Sequence, residues 1–205
     1  MNLRLIVGLG NPGPDYLETR HNAGFLLVDR LINHFSAREE RADADHLLWV
    51  HETDQFKVFF MKPMTFMNLS GRAIVSFLQK HPVEPHQMLI AYDDVALPLG
   101  KIRIRPSGSA GGQKGMRDII EVLETSEIPR LRIGIDSPLR GERSLPDFVL
   151  SPFQDQEVSL LGKVLKCAME ASESWLHHDM KTTMGNFNAR SLLEQNDQKL
   201  DGGES

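Results

Sequence analysis

The stretch "LRLIVGLG" near the start of the chain limits what it can fold into. Apart from Arg4, Leu3 to Leu9 is almost continuously apolar, and Gly8, Gly10 and Gly13 cut it off too soon for a helix. A run of this kind is a strand buried on both faces, which needs a sheet covered by helices on both sides. The rest of the sequence alternates accordingly. Val28, Leu31, Ile32 and Phe35 recur at helical spacing, which predicts a helix from about Asn22 to Phe35. "HLLWVHE", "FKVFFMKP", "QMLIAYDD" and "RLRIGID" are strand-like, and "NLSGRAIVSFLQKH" is helical with Ile74, Phe77 and Leu78 on its apolar stripe. "KIRIR" alternates strictly, so Ile102 and Ile104 face inward while Lys101, Arg103 and Arg105 share the other face. "GSAGGQKGMRDIIEVLE" is a glycine loop running into a helix. Pro138 to Phe153 predicts a mobile loop or short helix, and a long helix follows from about Asp155 to His178. No linker or repeat divides this pattern. The expectation is an α/β fold in one domain, residues 1–190, built on a twisted mixed β-sheet flanked by helices, with a polar, acidic, disordered tail over 191–205.

Composition narrows the function classes. No stretch approaches the roughly 18 apolar residues of a membrane helix. Cys167 is the single cysteine, so no internal disulfide is possible, and the N-terminus does not resemble a signal peptide. Both point to a cytoplasmic protein. The net charge of −5 argues against nucleic acid only on average. Between Leu97 and Arg117 lie Lys101, Arg103, Arg105, Lys114 and Arg117 with no acid, and a phosphate responds to that local field.

Gly8-Leu9-Gly10-Asn11-Pro12-Gly13 spells G-x-G-x-x-G, but a dinucleotide site needs a helix opening at the third glycine. Here Pro12 and Pro14 bracket Gly13, helical spacing starts only near Asn22, and Asp29 falls mid-helix where a strand-end acid is required. A P-loop, G-x-S-x-G, S-x-x-K and H-E-x-x-H are all absent. Adjacent His177 and His178 point about 100° apart on a helix and suit a solvated helix end better than a metal. No metal site and no cofactor are expected.

What remains is a set of polar residues at strand ends and loops: Asn11, His21, Asn68 and Asp93. Imidazole, carboxylate and amides suffice for hydrolysis by activated water. A position at a helix start, with Asn22 as N-cap, would keep His21 neutral, as a base requires. On these residues alone a structural histidine, a turn role for Asn11 and a cap role for Asn68 all stay open.

The stretches "VGLGNPGPDYLETRHNAG", "KPMTFMNLSG", "YDDVALPLGKIRIR", "GSAGGQKGM" and "RLRIGID" together resemble the bacterial peptidyl-tRNA hydrolase family, in its order and spacing, to about Arg190. The resemblance implies a phosphorylase/hydrolase-like fold and a monomeric, cofactor-free carboxylic ester hydrolase. Such an enzyme cleaves the ester between peptide and tRNA and recycles tRNA from aborted translation. It implies His21 as general base and Asp93 as its orienting carboxylate. Asn11 and Asn68 would bind substrate, and Tyr16, Phe66 and Met67 would line the cleft. Arg105 and Arg132 would hold the tRNA 5′ phosphate; Arg103, Lys114, Arg117 and Arg130 are either further phosphate contacts or a solvated basic face. The chain departs from the family at Gln113-Lys114, where His-Asn is common. Lys114 can then only donate, as a point charge, and is expected to stay at the substrate site, while Gln113 keeps hydrogen-bonding capacity without titrating. A non-catalytic RNA-binding relative, like the plant organellar splicing factors that resemble this family, is the rival reading; the retained His21, Asp93, Asn11 and Asn68 favour the enzyme.

Overall fold

The computed structural model describes residues 2–40 and 43–192. The expected disordered tail therefore lies, from residue 193 onward, outside the described residues. Seven strands form one sheet: β1 (Asn2–Gly8), β2 (Arg38–Glu39), β3 (His46–Glu52), β4 (Phe56–Pro63), β5 (Met88–Pro98), β6 (Ile102–Arg105) and β7 (Arg130–Asp136), in the order β2-β3-β4-β1-β5-β7-β6. The central strands β4, β1, β5 and β7 run parallel, and β3 and β6 pair antiparallel at either side. The sheet is mixed and helix-flanked, as the alternation predicts.

Burial on both faces follows from β1 itself. Ile6 packs with α1 (Ala23–Phe35), α5 (Asp155–His177) and α6 (Met180–Phe187), whereas Leu5 and Val7 pack with α2 (Ser70–Leu78) and α3 (Lys114–Leu123). Each layer is closed by the apolar stripe read in the sequence: Val28 and Leu31 on α1, Ile74 and Phe77 on α2. Differences lie at the ends. β5 runs to Pro98, four residues past the apolar "QMLIAYDD", because it bends along β7 with a register shift between Asp94 and Pro98. The short β2 and the separate α6 carry too few apolar residues to announce themselves. Pro138 to Phe153 resolves into a 3-10 turn at Pro138–Arg140 and the short α4 (Leu145–Val149).

The glycines after β1 serve close packing. A Cβ on Gly8 would sit 2.1 Å from the Gly24 carbonyl oxygen, and one on Gly24 would sit 2.4 Å from the Ala91 carbonyl oxygen. The start of α1 thus lies directly on the ends of β1 and β5, closer than any side chain allows. Two 3-10 turns, Pro14–Tyr16 and Arg20–Asn22, return the chain to that point before α1 begins at Ala23.

Candidate active site

The carboxyl ends of β1, β4 and β5 open on one cleft, the place where open α/β sheets gather their sites. Asn11 follows β1, Met67 and Asn68 form a 3-10 turn after β4, and Asp93 lies midway along β5, where the buried part of that strand ends. The Arg20–Asn22 turn carries His21 to them. Its Nδ1 lies 2.8 Å from Asp93 Oδ2, with Asp93 only 5% exposed. In the neutral imidazole that contact makes Nδ1 the donor, which leaves the Nε2 lone pair free. His21 lines a cavity of about 830 Å³ together with Asn11, Met67, Asn68 and Asp93.

Asn11 is held on three sides. Its N–H donates to Asn22 Oδ1 (2.8 Å), its carbonyl accepts from Asn22 Nδ2 (3.0 Å), and its Oδ1 accepts from the Met67 N–H (2.9 Å). With Oδ1 engaged, the amide presents Nδ2 as its remaining donor. Asn22 corrects the expectation made for it: it stands at the N-cap position of α1, but its side chain makes no cap bond and is used on Asn11 instead. Asn68 is exposed and makes no hydrogen bond among the described residues, so the cap role is excluded as well; Leu69 occupies the cap position of α2. Phe66, 56% exposed, lines the cavity together with Leu145 and Leu150, which leave α4 and its end partly bare. Tyr16 is half-buried and does not line the cavity. Among the described residues no group of three His, Cys, Asp or Glu is arranged to hold a metal ion.

The basic residues divide. Arg103 faces Arg132 across the β6–β7 ladder, and Arg105 faces Arg130, so four guanidinium groups share one sheet face. Like charges directly opposite repel, and such a face needs anions or carbonyls to stand. Arg130 has them: it is 2% exposed and donates to the carbonyls of Gly108, Ser109, Ser126 and Ile128. Burial pulls its guanidinium below the ordinary value. Arg130 therefore clamps the glycine loop, which corrects its expected place as a free phosphate contact. Arg132 is bound to Asp94, and Arg105 is exposed without an ion pair among the described residues; both line the cavity, as does Lys114 at the first turn of α3. Arg103 and Arg117 do not line it. The sequence reading missed Asn22, Asp94 and the α4 wall. Of these only the doubled acid "DD" within β5, where the apolar run stops, carried a visible signal.

A carboxylate-held imidazole with a free nitrogen, set among amide donors at the strand ends of a helix-flanked sheet, is the equipment of a hydrolase that activates water without a side-chain nucleophile. Comparison narrows the class. The family model described as "Peptidyl-tRNA hydrolase" matches residues 5–196, and the chain belongs to that family. It is 43% identical to a peptidyl-tRNA hydrolase of Synechococcus elongatus, over 92% of this chain and 93% of the relative. It is 40% identical to that of Aquifex aeolicus, over 88% of this chain and 96% of the relative. The crystal structure of peptidyl-tRNA hydrolase from Acinetobacter baumannii superposes with a TM-score of 0.84 at 33% identity, covering 93% of this chain and 96% of that one. A 5′-methylthioadenosine nucleosidase of Arabidopsis thaliana, at TM-score 0.51 and 9% identity, shares the fold alone, covering 88% of this chain and 99% of that one.

Proposed function

We propose that this protein hydrolyses the ester between a peptide, or another N-blocked aminoacyl group, and tRNA. His21 Nε2 takes a proton from water. The resulting hydroxide attacks the ester carbonyl, and the proton passes to the departing ribose oxygen, giving a peptide carboxylate and free tRNA. Asp93 keeps the proton of the resting imidazole on Nδ1 and stabilises the imidazolium formed on the way. The observation that carries this reading is the 2.8 Å His21–Asp93 contact with Nε2 left for the cleft.

Asn11 supplies the discrimination. Its free Nδ2 is a donor, so it suits the carbonyl oxygen of an N-acyl group. A free α-amino group is charged over much of neutral pH and offers no such acceptor. The unacylated substrate leaves this donor unpaired, which costs it binding. Asn68 donates to a second substrate carbonyl, while Phe66 and Met67 border the peptide. Arg105 and Arg132 take the tRNA 5′ phosphate, and Lys114 a phosphate or carbonyl near the 3′ end. These contacts position RNA without reading sequence. Residues 1–190 act as one catalytic domain, as a monomer in the cytoplasm.

The test is hydrolysis of N-acetyl-aminoacyl-tRNA by wild type and His21→Ala. Loss of general-base catalysis should slow the reaction about 10²- to 10⁴-fold. An inactive wild type that still binds tRNA would favour the non-catalytic relative, and an active His21→Ala would remove the base.

A further inference from the structure

Gln113 stands where the family commonly has histidine, and its amide is engaged at both ends. Its Oε1 accepts the Met116 N–H at 2.7 Å and so caps the N-terminus of α3. That contact fixes which way the amide faces: the oxygen belongs to the helix, so the nitrogen points away from it. There Nε2 lies 3.0 Å from Met67 Sδ and 3.4 Å from Asp93 Oδ1. Asp93 holds His21 through its other oxygen. Among the described residues, His21 and Gln113 are the only hydrogen-bond partners of the Asp93 side chain.

We infer that Gln113 is a positioning residue of the dyad, acting on His21 through Asp93; this rests on the reading of His21 as the base. A carboxylate held by one oxygen can still rotate about its last side-chain torsion. A donor on the second oxygen fixes its plane, and with it the direction of the imidazole and of Nε2. The helix cap supplies the rigidity, because Gln113 cannot turn its nitrogen elsewhere without uncovering the Met116 N–H. Its contact with Asp93 is long in the free protein, and catalytic hydrogen bonds commonly tighten once substrate closes the site. The amide is a neutral donor at every working pH, so the Asp93 charge stays directed at His21. A charged imidazolium in the same place would compete for that charge.

Gln113→Glu and Gln113→Ser separate this role from the cap. Both keep an oxygen able to accept the Met116 N–H. The first replaces the amide donor with a carboxyl group that competes with Asp93 for charge and for a proton, which weakens the Asp93 charge facing His21, and the second is too short to reach Asp93. Both should lower kcat on N-acetyl-aminoacyl-tRNA at least about tenfold, the scale of one hydrogen bond to a charged group. KM should stay within about twofold, since substrate contacts are retained; thermal stability should be nearly unchanged in Gln113→Ser, which keeps the cap, and lower in Gln113→Glu, which buries a second carboxyl group beside Asp93. Gln113→His, which restores a donor, should recover most of kcat. The downfield proton resonance of His21 Nδ1–H should shift or broaden in Glu and Ser variants and return in the His variant. Wild-type kcat together with an unmoved His21 resonance in Gln113→Glu and Gln113→Ser would overturn the inference. The NMR arm needs no turnover: an inactive wild type defeats the proposed function, while the His21 resonance still decides whether Gln113 positions the dyad.

Discussion

Removing the carboxylate of Glu157 should cost this protein much of its stability and should reach the dyad. Arg20 precedes His21 and is fully buried. Its Nη2 pairs with Glu157 Oε2, its Nη1 donates to Ser151 Oγ (2.8 Å), the Ser151 carbonyl (3.2 Å) and the Pro152 carbonyl, and its plane lies over Phe148 and Phe153. Glu157→Ala leaves that guanidinium buried with carbonyls but no counter-charge, a loss of about 3–5 kcal/mol. For a chain of 205 residues, each kcal/mol moves Tm by about 2–4 °C, so the fall should be about 6–20 °C. In a double-mutant cycle with Arg20→Met and Glu157→Met, the double variant should be more stable than either single change by about 2 kcal/mol, because it leaves no orphaned charge. pH adds a second signature. Burial alone would raise the Glu157 carboxyl, but the Gln154 N–H, the Ser137 hydroxyl and Arg20 outweigh it and hold the group below the usual carboxylate range. A depressed folded value stabilises above the unfolded value of about 4.3 and is lost as pH falls through the folded value. The Tm gap between wild type and Glu157→Gln should therefore be constant above about pH 5 and close below about pH 4. Since the Ser151–Pro152 clasp joins the α4 wall to the His21 turn, kcat/KM should fall even where Glu157→Ala remains folded. Strict additivity in the cycle, or a Tm loss under about 2 °C, would refute the buried pair as the support of this corner.

Asp94→Asn should free Arg132 for phosphate while keeping an acceptor for the Ala96 N–H, which Asp94 Oδ1 now takes at 2.8 Å. tRNA should bind more tightly, with a log–log salt slope steeper by about one; an unchanged slope would take Arg132 out of the phosphate contact. Gly10→Ala places a Cβ 2.7 Å from the Phe25 ring and 2.9 Å from Asn22 Oδ1, so it should cost about 1–3 kcal/mol and raise KM by loosening Asn11, as urea titration and kinetics would show. Ser36 ends α1 with φ at 48°, so Ser36→Gly should gain up to about 1 kcal/mol, read as a Tm rise of about 2–4 °C with no change in activity.

Strand and helix existence was legible because β1, α1 and α2 satisfy pattern and packing at once. The apolar face that marks each in the sequence is the face it buries. The late start of the first helix was also legible: only a single 3-10 turn directly follows Gly13, at Pro14–Tyr16, and α1 begins at Ala23, near where helical spacing starts in the sequence. What the glycines after β1 do was not legible, because the contact of Gly8 with Gly24 joins two points in space that no short motif relates. The basic residues failed for the same reason. Arg130 and Arg132 are both arginines two apart on one strand face, yet one is spent on the carbonyls of the glycine loop and the other on Asp94. Alternation assigns a side chain to a face but not to a partner. The dyad partners stood among the polar residues singled out at strand ends and loops, and resemblance assigned their roles; their 2.8 Å approach depends on turns that bring residues 72 positions apart together.

The cleft shows how a protein prepares amide groups for chemistry. An asparagine or glutamine can present either end, and water would let it present both. Here one end of each is committed to the backbone: Asn11 Oδ1 to the Met67 N–H, and Gln113 Oε1 to the Met116 N–H. The opposite end is thereby defined as a donor before substrate arrives. Asn22 extends the logic one layer out, since both ends of its amide are consumed in fixing the Asn11 backbone. Donors fixed in this way need little reorganisation as charge develops on a carbonyl oxygen, which is where preorganised dipoles contribute most. Substitutions that keep the amide but free its committed end should therefore cost more in kcat than in KM. For Asn11 the committed end is held by the turn after β4, so a disturbance of Met67 should reach substrate selection through Asn11 and the dyad through Gln113, whose Nε2 lies 3.0 Å from Met67 Sδ.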